Sequence, residues 1–457
     1  MKGVSAERAI EVPDAALHVI GLLEAAGKRA YVVGGCVRDA LLGRAMNDWD
    51  ITTSARPDEV KAIMAAAGIK TADTGIKYGT VTVLADGQAF ETTTFRSDGA
   101  YSDGRHPDSV ELLGSIEGDL ARRDFTVNAM AYNPREGIVD LHGGMEDLKA
   151  GILRCVGDAH TRFAEDALRI MRGLRFSAQL GFAIEKGTAE AIHADAGLLG
   201  RVSAERIAAE LSKLVCAPYM GKVLLEFSDV VSTVLPEIAP SIGFDQRNRH
   251  HCYTVWEHCV HTSEHAAPED LTMRYAALFH DIGKPACFFM GDDGQGHFYG
   301  HRTVSSDLFA RIAKRLKLPR KLADQVELLV RYHDANLPTT AKGMRHWALK
   351  FGRDTVRQIF ELHRCDVSAL APDIVHEALA NIDAAQAFFE DAISEVQVSS
   401  TRDLAVNGRD LLGLGLPEGP AIGKALGALL EAVVDGELEN EPQALLAYAS
   451  EHFAPRS

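Results

Sequence analysis

Gly34-Gly35-Cys36-Val37-Arg38-Asp39, with Asp48-Trp49-Asp50-Ile51 a short way on, stands between an apolar run, Ala30–Val33, and a helix-forming one, Val37–Leu42. The first run has the length and composition of a short buried strand. Glycines between a strand and a helix let backbone N–H groups approach a phosphate closely, and the helix N-terminus favours an anion there. Arg38, one turn into the helix, can reach the same phosphate. Taken alone, Gly-Gly before a helix is also simply a tight turn. Asp48 and Asp50 add what a turn does not explain. On a strand, residues two apart point to one face, so both carboxylates would converge. Convergent carboxylates repel unless neutralised, and Mg²⁺, with its oxygen ligands and its partnership with nucleotide triphosphates, neutralises them. An isolated Asp-x-Asp is more simply a solvated pair at a strand edge. The combination of Gly-Gly, Arg and Asp-x-Asp is far more specific than any of its parts.

Working outward, Trp49–Thr53, Thr80–Leu84 and Ala89–Phe95 read as further strands, so residues 28–155 form a mixed α/β unit. From about Asp158 the pattern turns to helical periodicity rich in Ala, Leu, Glu and Arg and stays so to the end. Pro236, Pro240 and Gly243 mark a break near 236–250, Pro372 another, Asn407-Gly408 a turn and Gly413–Pro420 a loop. The expected fold class is α+β: a nucleotide-handling head over 1–155, a helical neck over 156–245, a His-rich helical domain over 246–375 and a helical tail over 376–457.

The chain has 457 residues, which at roughly 100–200 residues per domain predicts two to four domains. Hydrophobic residues make up 46% and charged residues 25%, the balance of a globular protein. No apolar run approaches the ~20 residues of a membrane span, and Met1–Pro13 holds no signal-type apolar stretch, so a cytoplasmic protein without membrane attachment is expected. Cys36, Cys155, Cys216, Cys252, Cys259, Cys287 and Cys365 are scattered without a CxxC pair and read as free thiols. A formal net charge of −16 argues against binding nucleic acid with the whole surface but leaves room for a local basic stripe.

At this point a resemblance enters. GGCVRDALLGRAMNDWDITT over residues 34–53 resembles the catalytic motif of the polymerase-β-like nucleotidyltransferases, in the class II branch that holds tRNA nucleotidyltransferases and bacterial poly(A) polymerases. Arg122-Arg123-Asp124-Phe125-Thr126-Val127-Asn128-Ala129 resembles the RRDFTxNA motif of the same family, and Asp140, Gly143 and Gly144 its DxxGG motif, which joins head to neck. The resemblance implies two Mg²⁺ ions on Asp48 and Asp50, a third carboxylate at Glu91, and triphosphate contacts from Gly35 and Arg38. Arg123 suits phosphate or ribose hydroxyls. The polar stretch Ser97–Pro107 looks like the family's mobile loop.

Glu165–Phe176 reads as one helix, on which Asp166, Arg169, Arg172 and Arg175 are spaced three apart and so lie close together along one band. By itself such a band is also a salt-bridged solvated face. The family's EDxxR motif implies more: Asp166 and Arg169 as a protein template that hydrogen-bonds the Watson–Crick edge of incoming CTP or ATP, with Arg172 and Arg175 binding triphosphate or holding that geometry. The implied activity is addition of C, C and A to the 3′ end of tRNA without a nucleic-acid template. Alternatives are a partial enzyme that adds only CC or A, and a poly(A) polymerase. The acidic chain with its Ala/Leu/Glu-rich tail argues against the last, which usually carries a basic C-terminal extension.

A third constellation lies over residues 250–366: His251, His258, His280-Asp281, His301, His333-Asp334 and Asp366. Any one histidine here could be structural. The ordered set resembles the HD phosphohydrolase superfamily and the HD module fused to many bacterial tRNA nucleotidyltransferases, which implies a second divalent metal on His258, His280, Asp281 and Asp366. His301 and His333 would be second-site ligands or phosphate contacts. On this basis metal-dependent phosphohydrolysis is a rival for the main activity. In the tail, Val406–Leu412 and Gly419–Lys424 resemble the same enzyme group, and the helix opened by Gly419-Pro420 could meet an RNA phosphate or be a capped surface helix. The oligomeric state is not legible.

Overall fold

The computed structural model describes residues 10–46, 48–98, 110–112, 115–394 and 398–453, with backbone alone at 77, 97, 98 and 110–112. The chain divides into two compact units, Met1–Ala239 with Arg315–Lys317, and Pro240–Lys314 with Leu318–Ser457.

The first unit opens with helix α1 (Asp14–Ala25), which buries Ala15, Ala16, Val19, Ile20 and Leu23, the stripe expected of a helix lying on a sheet. Strand β1 (Ala30–Val33) is buried at every position, which is why its sequence does not alternate. After it come α2 (Gly35–Leu41), β2 (Ile51–Thr53), α3 (Pro57–Ala66), β3 (Lys70–Gly75), β4 (Thr80–Ala85) and β5 (Gln88–Thr94). A separate antiparallel pair, β6 (Arg96–Asp98) and β7 (Val110–Leu112), follows. Most of the expected mobile loop, Ser97–Pro107, falls outside the described residues. Helix α4 (Ile116–Ala121), β8 (Met130–Asn133), β9 (Gly137–Asp140) and α5 (Gly144–Ala150) complete the head. Its sheet has seven strands in the order β3-β4-β5-β2-β1-β8-β9. All pairs are antiparallel except β2–β5. The Asp140 carboxylate accepts the backbone N–H groups of Gly144 and Met145, both at 2.8 Å, and so caps α5. A Cβ at Gly144 would lie 2.4 Å from the Thr126 carbonyl, so that position admits only glycine.

Six helices follow: α6 (Ala159–Glu165), α7 (Leu168–Leu180), α8 (Lys186–Asp195), α9 (Ala204–Val215), α10 (Met220–Glu226) and α11 (Ser228–Val234). The expectation of one helix over Glu165–Phe176 is corrected here. Asp166 takes an extended conformation, φ −141° and ψ 102°, and separates α6 from α7. The physical reason is local. The Asp166 carboxylate accepts the Leu168 N–H at 3.1 Å, and aspartate competes with helical continuation by capping the next helix. Asp166 therefore lies at the head of α7 rather than on one helical band with Arg169, Arg172 and Arg175.

The second unit is almost wholly helical. Val255–His265, Leu271–Phe279, Arg320–Tyr332 and Arg353–Ser368 gather around buried side chains including Trp256, Tyr275, Phe279 and Val330. Ala341–Phe351, Arg353–Ser368 and Pro372–Ser394 share a core of Met344, Val356, Phe360 and Phe389. The last helices, Gly408–Gly413, Pro420–Val434 and Pro442–Phe453, have their own around Leu411, Leu429 and Leu445. No helix among the described residues is long and apolar enough to cross a membrane. All seven cysteines are free.

Candidate active site

The head site begins where β1 ends. Gly34 turns the chain at φ 88°, a left-handed conformation that favours glycine, and its N–H donates to the Met130 carbonyl at 3.0 Å. A Cβ here would stand 2.9 Å from Arg123 Nη1, so the missing side chain is what lets that guanidinium lie against the turn. Arg38 is buried on α2. It donates to Asn128 Oδ1 at 2.5 Å and, through Nε and Nη2, to the Asp39 carboxylate at 3.0 and 2.7 Å. Cys36, beside it, is buried and its thiol is pushed up to about 11 by that burial, so it stays protonated.

Asp48 and Asp50 lie in the extended segment just before β2, both exposed, flanking the buried Trp49. Regular pairing begins at Ile51 rather than at Trp49, although the Asp50 carbonyl already accepts the Val33 N–H at 3.0 Å. Ile51 pairs with Thr92 in parallel register, which sets Asp50 level with Glu91 on the neighbouring strand. The carboxyl of Asp50 is raised, first by the protein around it, then by Glu91, with Arg123 opposing and Asp48 adding to the rise. Three carboxylates that repel one another in this way suit a divalent cation.

Arg123 is held from behind by Asp119. That side chain is fully buried and receives Arg122 Nη2 at 2.8 Å, Arg123 Nη2 at 3.3 Å and the Thr52 hydroxyl at 3.3 Å. Asp119 was not singled out from the sequence. Its signal was there: it precedes Arg122 and Arg123 by three and four residues, the helical pairing distances.

The arginines of α7 are all engaged. Arg169 donates to Glu165 Oε2 at 2.5 Å and to the Arg162 and Arg122 carbonyls. Arg172 grips Asp124 Oδ2 through Nε and Nη2, at 2.8 and 2.6 Å. Arg175 pairs with Glu210 at 2.5 Å and Gln179 at 2.8 Å. Asp166 is paired with Arg206 at 2.7 Å. Asp124 is buried, which by itself would raise its pKa, yet Arg172 beside it holds the carboxyl well below the usual range. Asn128 donates to the other oxygen of Asp124 at 3.2 Å. A continuous chain, Arg38–Asn128–Asp124–Arg172, thus links the glycine turn to α7. The Phe176 ring lies under three guanidinium groups, those of Arg38, Arg172 and Arg175, at 5.0, 5.2 and 3.9 Å. Asn128 stands in the motif quoted from the sequence, whereas Glu210 and Arg206 enter only through these contacts, which join residues far apart in sequence.

In the second unit the structure gathers the buried His258, His280, Asp281, His301 and His333 around the half-buried Asp366, while Asp334 is exposed. His258 Nε2 is 2.9 Å from Asp366, His280 Nε2 is 3.2 Å from Asp281 and 3.4 Å from Asp366, and Lys284 Nζ is 2.5 Å from Asp281. His301 and His333 approach the other oxygen of Asp281 at 3.2 and 3.4 Å. Among the described residues, the sets with ligand atoms within 4.8 Å of one another are His258, His280 and Asp366, and His280, Asp281 and His333. Each of the four histidines turns Nδ1 to a backbone carbonyl: Ala369 for His258, Ala277 for His280, Phe298 for His301 and Val330 for His333. A carbonyl only accepts, so Nδ1 carries a proton and, in the neutral ring, each Nε2 turns its lone pair toward the cluster. His301 Nε2 and His333 Nε2 face each other at 3.1 Å, lone pair to lone pair, an arrangement that a proton or a cation must bridge. His280 Nε2 and Asp281 Oδ1 are buried and, despite these short approaches, make no hydrogen bond of good geometry. Burial disfavours a charged His280, but Asp281 and Asp366 outweigh it and lift its pKa to about 10, a measure of how strongly this pocket attracts positive charge. The donor set fits a divalent metal.

A mixed sheet presenting exposed aspartates beside a glycine turn, backed by an arginine-rich neck, defines a nucleotidyltransferase. Residues 30–154 match the family described as the poly A polymerase head domain, 181–242 the probable RNA and SrmB-binding site of polymerase A, and 303–449 the putative tRNA nucleotidyltransferase domain 2. The chain belongs to the CCA-adding enzymes, which are tRNA nucleotidyltransferases. It is 35% identical over 443 residues to the CCA-adding enzyme of Geobacillus stearothermophilus, covering 96% of this chain and 97% of that one. With the enzyme of Lacticaseibacillus paracasei it shares 36% over 442 residues, 96% of this chain and 97% of the other. The crystal structure of the Bacillus stearothermophilus CCA-adding enzyme in complex with CTP superposes with a TM-score of 0.70 at 31% identity, covering 96% of each chain. The Thermotoga maritima enzyme complexed with tRNA, at 21% identity, a TM-score of 0.57 and 98% coverage of each chain, shares the fold.

Proposed function

We propose that this CCA-adding enzyme completes the 3′ end of tRNA by adding C, C and A from CTP and ATP, with Asp48, Asp50 and Glu91 holding Mg²⁺ and Asp166 with Arg169 reading the incoming base. The observation that carries the reading is the parallel register of Ile51 with Thr92, which sets Asp50 level with Glu91 on the neighbouring strand, with Asp48 two residues before it. When bound, two Mg²⁺ ions would activate the tRNA 3′-hydroxyl and stabilise the leaving pyrophosphate. Gly35, Arg38 and Arg123 would hold the triphosphate, and Arg172 and Arg175 keep Phe176 and the neck in place around it. Asp166 offers acceptors and Arg169 donors, the complement of a base's Watson–Crick edge. Both are now satisfied internally, by Arg206 and by Glu165, so a base would take over those bonds. Relatives crystallised with CTP, with ATP and with tRNA support these ligands. On this reading 1–155 is the catalytic head, 156–245 the neck, 246–375 an HD-type domain and 376–457 a tRNA-binding tail, working in the cytoplasm where tRNA and nucleotides are.

A second reading concerns the other unit: His258, His280, Asp281 and Asp366, with His301 and His333 adjoining, hold a divalent metal. The four Nε2 atoms turned inward favour it. The base-reading proposal is tested by giving single nucleotides to Asp166→Ala and Arg169→Ala. Transfer should persist while discrimination against UTP and GTP falls; wild-type selectivity in both variants rejects the assignment.

A further inference from the structure

Arg123 is stretched between two anchors. Its Nη2 lies 3.3 Å from Asp119 Oδ2, and its Nη1 lies against the Gly34 turn, where a Cβ would meet it at 2.9 Å. Its Nε is buried with no hydrogen-bond partner. A guanidinium carries five N–H donors in a fixed fork, and one contact of 3.3 Å uses little of that capacity. Arg123 also acts on Asp50, where it opposes the rise of the carboxyl. One positive charge is thus shared between a fully buried carboxylate, Asp119, and the exposed carboxylates of the head.

Asp119 is built to keep its charge. Burial alone would raise its pKa, but Arg123 and Arg122 outweigh burial and hold the carboxyl below its usual range. Its Oδ1 is taken by Arg122, through Nε at 3.1 Å and Nη2 at 2.8 Å. Its Oδ2 is left for Arg123 and for the Thr52 hydroxyl, both at 3.3 Å. Thr52 stands two residues beyond Asp50, so along an extended chain it points to the same side as Asp48 and Asp50. Asp119 therefore meets the strand face that carries those two carboxylates.

We infer that Asp119 is a positioning residue for nucleotide addition: its charge holds Arg123 at the glycine turn, where a triphosphate would lie, and keeps that guanidinium off Asp48, Asp50 and Glu91, where it would compete with a divalent metal. The inference rests on the reading of those three carboxylates as the metal site. A guanidinium pairs with the same carboxylate oxygens that Mg²⁺ takes. Removing one partner of a buried ion pair leaves the other charge uncompensated, so Arg123 without Asp119 would turn to the nearest carboxylates that remain. A purely structural anchor for α4 would lower activity at every metal concentration. A residue that restrains a competitor of the metal makes the loss reversible by metal.

The test titrates the full-length protein with Mn²⁺, read by electron paramagnetic resonance, and measures CTP incorporation into tRNA over a range of Mg²⁺. The second unit is common to all the proteins, and Asp50→Ala identifies the head's share of the bound Mn²⁺. Asp119→Asn, which keeps the shape and removes the charge, should weaken Mn²⁺ binding in the head about tenfold, within the range of coupling between contacting residues. Incorporation should recover as Mg²⁺ is raised. Adding Arg123→Gln to Asp119→Asn should restore the wild-type affinity for Mn²⁺, because the competitor is gone. If Asp119→Asn alone does not fold, Arg123→Gln is compared with and without it: once the guanidinium is absent, the charge at 119 should no longer alter Mn²⁺ binding. Unchanged Mn²⁺ affinity in Asp119→Asn overturns the positioning role, and so does a loss that persists when Arg123→Gln is added. Mn²⁺ binding that is the same in wild type and Asp50→Ala overturns the metal reading of the head instead.

Discussion

The carboxylates of the head and the His/Asp cluster of the second unit are both candidate donor sets for cations, and they are built in opposite ways. Asp48, Asp50 and Glu91 are exposed and come from an extended segment and a strand. His258, His280, Asp281 and His333 are buried, with their ring orientations fixed by backbone carbonyls. The tightly gathered sets among the described residues lie in the second unit, and none includes the head aspartates. An open set of hard oxygen donors suits a metal that arrives with its nucleotide and keeps its waters. A closed set of imidazoles and carboxylates is complete before any substrate comes and suits a resident ion. On the proposed reading, accessibility more than ligand count separates the site that turns over from the site that stays loaded.

The largest effect that would break this contrast is in the head. Asp50→Ala should lower nucleotide incorporation into tRNA by at least ~10³-fold while the second unit still binds Mn²⁺ with unchanged stoichiometry. Incorporation at the wild-type rate would remove the head from the account. Next, His280→Gln should weaken Mn²⁺ binding in the second unit by at least ~100-fold, read by metal analysis after dialysis, with CTP incorporation unaltered. If both activities fall together, the sites are not separable as described. A smaller effect concerns the chain that ties the glycine turn to α7. Asp124→Ala leaves Arg172 without its partner and should cost about 3–5 kcal/mol, seen in chemical unfolding of the first unit. The pH dependence sharpens it. The folded pKa of Asp124 is depressed, so its contribution is complete above the unfolded value of about 3.9 and is lost as pH falls through the lower folded one. The gap between wild type and Asp124→Ala should therefore be widest near neutral pH and shrink below about pH 4. A gap independent of pH contradicts the ion-pair explanation.

Much of the head was legible because its signals are local. Ala30–Val33 is apolar at every position and is a fully buried strand, and the two glycines after it turn the chain where expected. Gly34 also shows what spacing alone cannot: its left-handed φ and the approach of Arg123 involve a residue far along the chain. The helix expected through Asp166 failed because the three-residue spacing of Asp166, Arg169, Arg172 and Arg175 suits a helix but gives no weight to the capping chemistry of an aspartate. The anchors Asp119 and Glu210 were overlooked, and Asp124 was quoted in a motif without a role, because a carboxylate that is buried and paired looks, in sequence, like any surface acid. The His/Asp cluster was readable as a set, yet the carbonyls that orient each ring belong to ordinary helical turns and carry no sequence mark.

One experiment bears on the whole account: purified protein, Mg²⁺, and tRNA transcripts ending before CCA, after C, or after CC, with CTP and ATP given separately and together. Two C and then one A are expected on the shortest transcript, the remaining residues on the others, and arrest after A. Extension that stops at CC, addition of A alone, or continued A addition past the terminus would contradict it, each by a different product length.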